Sequence, residues 1–128
     1  MHRSRFAAIV IDSQVDDINT ANQFWPQALG MPYQVSKEEW ASRYTHLDVP
    51  AGQPQVLLQK VSHESRVHID IETDNIEAEV ARLSTLGASV VERFPRWVVM
   101  QAPTGHKFCV VNPQRDDFAT ADNVNVWP

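Results

Sequence analysis

Residues 67–88 read VHIDIETDNIEAEVARLSTLGA. Val67, Ile69 and Ile71 are apolar and alternate with the polar His68, Asp70 and Glu72. Period-two alternation makes a strand with one face in a core and the other toward water or a site. Asp74 or Asn75 then suits a helix N-cap, where a short polar side chain accepts the free backbone N–H groups of the first turn. Ile76, Val80, Leu83 and Leu86 fall on one helical stripe, and Gly87 stops the helix. Three more strands follow, Ser89–Phe94, Trp97–Gln101 and Lys107–Val111. The turns Pro95-Arg96 and Pro103-Thr104-Gly105-His106 separate them. The unit is therefore β-α-β-β-β.

A worn copy of this unit lies upstream, from Val10 to Gln59. Phe6–Ile11 is a continuous apolar run and reads as a strand. Asp16 or Asp17 caps a helix that runs to Leu29 and stops at Gly30. Pro26 should kink or end its regular part, because proline removes a helical hydrogen bond. Ile18, Ala21, Trp25, Ala28 and Leu29 should be buried. Pro32–Lys37, Trp40–Val49 and Gln55–Val61 read as strands. The expected fold is α+β, a single domain over 1–128, with module one at 6–61, module two at 66–112 and a tail at 113–128. Late hairpins favour a curved, mainly antiparallel sheet around a cleft, with both helices on the outer face. The tail is either disordered or docked through its Trp127 end.

Composition narrows the function classes. The chain has 128 residues, 43% hydrophobic and 21% charged, with a formal net charge of −5. That balance argues against nucleic acid or an anionic membrane as partner. No stretch has the apolar length to span a bilayer. Cys109 is the one cysteine, so no intrachain disulfide is possible and a reducing cytoplasm is the simplest setting.

The runs at 67–88 and WVVMQAPTGHKFCVV at 97–111 resemble the second module of glyoxalase-like proteins in the vicinal oxygen chelate superfamily. That superfamily includes glyoxalase I, bleomycin-resistance proteins and extradiol dioxygenases. DDINTANQFWPQALGM, at 16–31, resembles the first module. The resemblance covers Phe6 to Asn112. It implies a homodimer and, in metal-using relatives, four ligands on the first and last strands of each module. Those positions fall at Val10, Gln59, His68 and Cys109. Val10 has no donor atom, and among its neighbours only Asp12 carries one. Gln59 is a weak neutral donor, and Cys109 is better suited to zinc than to a harder ion. No metal or other cofactor is expected; a divalent ion, if any, would centre on His68.

The candidate cleft residues are therefore Gln59, His68, Asp70, Cys109, Tyr44, His46 and Trp97. His68 with Asp70 on one strand face suits acid/base or substrate-orienting work, since a carboxylate raises an imidazole's basicity. No nucleophile motif surrounds Cys109, which reads as a small residue on the cup floor. Trp97 and Trp40 sit near loops, where aromatic rings often wall pockets. Glu79 and Arg82, three apart, read as a surface pair. His2, His63 and His106 fall in terminal or turn segments and read as surface residues. The leading expectation is a small-molecule-binding protein with a degraded metal site. The alternatives are an enzyme of the same superfamily, either a metal-dependent lyase or dioxygenase or a His68-based acid/base catalyst, and a non-catalytic dimeric interaction domain.

Overall fold

In the computed structural model, which describes residues 1–128, the elements follow in the order β1 (His2–Gln14), α1 (Asn19–Leu29), β2 (Tyr44–His46), β3 (Gln55–Val61), β4 (Arg66–Thr73), α2 (Ile76–Thr85), β5 (Ser89–Arg93), β6 (Trp97–Gln101), β7 (Lys107–Val111) and β8 (Asn125–Trp127). The class is α+β. The chain divides into two compact units, residues 8–67 and residues 1–7 with 68–128. In both, the last strand lies parallel to the first, β3 on β1 and β7 on β4. Neighbouring later strands pair antiparallel. The pairing is thus mixed, because first and last strands joined through a helix and hairpins can return in the same direction.

The unit containing 68–128 matches its sequence closely. Asn75 caps α2, its Oδ1 accepting from Ala78 N at 3.0 Å. Val80 and Leu83 pack on Val98, Met100, Phe108 and Val110, with Ile71 and Ile76 beside them. Gly87 holds φ 101°, a backbone conformation that favours glycine, and a Cβ there would lie a tight 3.0 Å from Pro103 Cγ. Two expectations fail at the margins of this core. Leu86 is 64% exposed, and on β4 Val67 and Ile69 are 61% and 43% exposed. With ten residues, α2 covers the sheet only as far as Ile71.

The N-terminal residues and the tail complete this unit through buried polar groups. Arg5 is 3% exposed and donates from Nε to Glu72 Oε1 at 2.6 Å. Its other nitrogens reach Asn123 Oδ1 at 2.7 Å and Asp117 Oδ1 at 2.6 Å. Glu72 is fully buried, and its second oxygen accepts from the backbone N–H groups of Gln114 and Arg115. Glu79 is also fully buried, which corrects its reading as half of a surface pair. It takes a two-pronged bond from Arg82, at 2.8 and 2.9 Å, and lies 2.8 Å from His2 Nε2. His2 is therefore a buried residue, not a surface one. The tail docks: β8 pairs antiparallel with the start of β1. The Trp127 ring sits 3.8 Å from the Arg82 guanidinium, and its Nε1 donates to Ser4 Oγ at 2.8 Å.

The unit at 8–67 departs further from expectation. Ile18 and Ala21 pack on Leu47 and Leu58 as expected. The buried face then continues through Asn22 and Pro26, while Ala28 and Leu29 are exposed. Asn22 earns its buried place by accepting from Thr45 Oγ1 at 2.6 Å. The helix runs through Pro26 to Leu29, and Gly30, left-handed at φ 67°, ends it. The strand expected at 32–37 does not form; one bridge, Tyr33 to Leu47, is all that remains. Tyr33 and Val35 alternate with Gln34 and Ser36, but Pro32 has no N–H to give and Val35 is 86% exposed, so the alternating face finds no core to pack on. The strand expected at 40–49 shrinks to β2, because residues Glu39–Ser42 form a 3-10 turn.

Two stability tests follow from the buried charges. Glu72→Ala takes from Arg5 its one fully buried partner, leaving it Asp117 and Asn123, unpairs the Gln114 and Arg115 N–H groups, and should cost about 3–5 kcal/mol in urea unfolding; a loss within the scatter of surface variants would show that Arg5 needs no buried partner. Burial alone would raise the Glu79 pKa, but hydrogen bonds from Arg82, His2 and Ser4 outweigh it and hold the carboxyl below its ordinary value. A lowered folded pKa means stabilisation that is full above the ordinary carboxylate range and is lost as pH falls through the lowered value. Glu79→Gln should therefore flatten the acid limb of the stability curve, and an unchanged acid limb would refute the assignment.

Candidate functional site

The site is built from strand alternation and one register. His68 and Asp70 are two residues apart on β4 and so share a face. The parallel register sets Asp70 opposite Cys109 on β7. Their neighbours Ile71 and Val110 point the other way, into the core under α2. The helix thus takes the apolar face of this sheet and leaves His68, Asp70 and Cys109 together on the other. His68 Nε2 lies 3.3 Å from Asp70 Oδ1, and the two side chains are 13% and 15% exposed. One ligand atom from each of His68, Asp70 and Cys109 lies within 4.8 Å of the other two.

The contact between His68 and Asp70 is electrostatic and is not an aligned hydrogen bond: Asp70 Oδ1 is buried and has no hydrogen-bond partner. Buried polar atoms are nearly always satisfied, so an orphaned carboxylate oxygen marks a place where a ligand or water completes the bonding. A carboxylate beside one ring nitrogen favours hydrogen there and makes the other nitrogen the better base. Cys109 is a free, half-buried thiol. The trio can accept, donate and hold a proton within a small space.

The other candidates are placed as follows. Trp97 alternates with Val99, which pairs with Cys109, so it shares that face of the sheet. Its ring is occupied by stacking on Phe94, with centroids 4.5 Å apart. In residues 8–67, Gln59 pairs in register with both Asp12 and Tyr44. Its Nε2 donates to Tyr44 Oη at 3.0 Å. His46 pairs with Leu57 and meets Trp40 edge to face. Val10 and Asp12 are both 2% exposed, and Arg66 Nε stands 3.8 Å from Asp12 Oδ2. The register makes Asp12 the repeat counterpart of Asp70 and Val10 that of His68. The offsets of the sequence contain this equivalence, but a buried carboxylate at Asp12 could be recognised only once β3 was aligned on β1.

A family profile for the glyoxalase-like domain matches residues 8–111. The chain belongs to the glyoxalase-like domain family. Comparison with curated proteins gives no match. Among solved structures, methylmalonyl-CoA epimerase from Mycobacterium tuberculosis is similar at TM-score 0.59 and 16% identity, covering 91% of each chain. A glyoxalase/bleomycin resistance protein/dioxygenase superfamily member from Vibrio splendidus 12B01 is similar at TM-score 0.52 and 16% identity, covering 86% of this chain and 99% of that one. An extradiol ring-cleaving dioxygenase from B. fuscum gives TM-score 0.58 at 14% identity, covering 87% of this chain but only 33% of its own length. These likenesses establish a shared fold.

The four-ligand metal set of metal-using relatives does not fit the chain, because Val10 is an aliphatic side chain at 2% exposure. His68 and Cys109, two of those four positions, form with Asp70 a donor set of nitrogen, sulfur and oxygen, all types that zinc accepts.

A buried carboxylate oxygen without a hydrogen bond costs stability. Asp70→Ala is expected to leave the melting temperature unchanged or to raise it, by the equivalent of about 1 kcal/mol. A fall of that size or more in thermal unfolding would assign Asp70 a structural role instead.

Proposed function

We propose that this glyoxalase-like protein binds a small organic molecule with hydrogen-bonding groups at His68, Asp70 and Cys109, without a conventional four-ligand metal. The observation that carries this reading is the orphaned Asp70 Oδ1 beside His68 Nε2. A bound hydroxyl, amide or protonated group would satisfy that oxygen, and the imidazole would fix its orientation. We place this activity in the cytoplasm, where the Cys109 thiol stays reduced, and in a homodimer. No helix is long and apolar enough to cross a membrane.

A second reading, catalysis, is favoured by the same 3.3 Å contact. An imidazole set against a carboxylate can move a proton to or from a bound carbon or oxygen acid. The methylmalonyl-CoA epimerase similar in fold makes proton transfer next to a carbonyl a reasonable first reaction class to assay. In this reading His68 is the base and Asp70 orients it.

A thermal-shift screen of small hydroxy, keto and amide compounds, repeated across divalent metals and with elemental analysis of the purified protein, tests both. The expected result is stabilisation by a polar organic compound that His68→Ala abolishes, with no stoichiometric ion. A stoichiometric, stabilising ion lost in His68→Ala would overturn the metal-free reading. Unchanged ligand stabilisation in His68→Ala would remove His68 from the site.

A further inference from the structure

Residues 16–60 line an open groove of about 1260 Å³ that includes none of His68, Asp70 and Cys109. Residues 33–37, which form no strand, make one of its walls. That segment touches β2's continuation only at Tyr33–Leu47, leaving room between itself, the start of α1 and β2. Four rings line the space, Tyr33, Trp40, Tyr44 and His46. Trp40 and His46 meet edge to face, with centroids 5.4 Å apart and planes at 79°. Two rings at nearly a right angle make the walls of a corner, and Trp40 keeps 40% of its surface open. His46 is itself exposed, and partial burial of its ring lowers its pKa from the ordinary value.

The charge around this corner is one-sided. Asp16, Asp17, Glu38, Glu39 and Asp48 line the groove against Lys37 and Lys60. None of these carboxylates takes part in an ion pair of the chain. Indole is the best of the side-chain rings at attracting a cation to its face, and aromatic corners are a recurring way to hold ammonium groups whose hydrogens have been replaced by alkyl groups. Such a cation is weakly hydrated and does not need a direct hydrogen bond. It gains from rings at contact and from carboxylates a little further out.

We propose that the groove binds the alkylated ammonium group of a small organic cation, with Trp40 and His46 as its contact walls and the surrounding carboxylates as its counter-charge. Anions are repelled there, and an uncharged molecule of the same shape gives up both attractions.

Isothermal titration with choline and with its uncharged isostere, in which tert-butyl replaces trimethylammonium, tests this on the full chain. Choline should bind about tenfold or more tighter than the isostere, and Trp40→Ala should remove about tenfold of that affinity. The paired change Glu38→Gln with Glu39→Gln should weaken binding a few-fold at low salt and little at high salt. His68→Ala should leave choline binding unchanged. Trp40→Phe, which keeps a ring, should retain part of the affinity, so a fold defect in the alanine variant cannot pass for lost recognition. Equal binding of choline and its isostere, no binding of choline, full affinity in Trp40→Ala, or loss in His68→Ala would each overturn the proposal.

Discussion

Parallel closure of each repeat, last strand against first, is the constraint on which the chemistry depends. In the second repeat it sets Asp70 beside Cys109, and in the first it sets Asp12 beside Gln59. Alternation along each strand then sorts side chains to one face or the other. The helix of each repeat takes the apolar face, Val98, Met100 and Val110 under α2 and Leu58 under α1. Whatever polar groups stand at the paired positions are thereby left together on the opposite face. A one-residue slip of β7 on β4 would put Cys109 into the core and Val110 on the site face, at the cost of burying a polar set and exposing an apolar one.

The buried ion network works on the same unit from its ends. The first residues of β1 and the tail bury only a few apolar side chains, among them Phe118 and Val124. They are held by Arg5 on Glu72, by Arg82 and His2 on Glu79, and by Trp127 lying over Arg82. A buried ion pair is weak as net stabilisation because both charges lose water. It is strong as specification, because each partner alone is intolerable in the interior. Glu72 illustrates this: both of its oxygens are used, by Arg5 and by two backbone N–H groups at the start of the tail. The tail therefore has one favourable course, set by these polar contacts together with the burial of Phe118 and Val124.

The second repeat was legible residue by residue because its local signals agree. Alternation, an Asn cap, a helical stripe and glycine stops all point to the same elements, and His68 and Asp70 could be assigned to one face from spacing alone. The first repeat was legible only in its helix and its outer strands. Tyr33 and Val35 alternate with Gln34 and Ser36 and so favour a strand at 32–37, but Pro32 takes away an N–H and no core meets that face, which the local pattern does not reveal. Glu79 and His2 were misjudged for a different reason. A carboxylate on a helix and a histidine at a terminus are usually solvated, and only a long-range partner overrides that preference. Their partners lie far along the chain, which no window of sequence can show.

Divergence of the two repeats has a physical consequence that symmetry alone would hide. The paired positions of the second repeat hold groups that can exchange protons, and His68 stands one strand pleat away. The corresponding positions of the first hold an amide already engaged with Tyr44 and a carboxylate facing Arg66, with Val10 where the imidazole would be. The first repeat also forms no strand at 32–37, where a single bridge joins Tyr33 to Leu47. Residues 33–37 instead line the groove that holds the Trp40–His46 corner. The repeat with all its strands carries the polar cluster, and the repeat without one of them carries the groove.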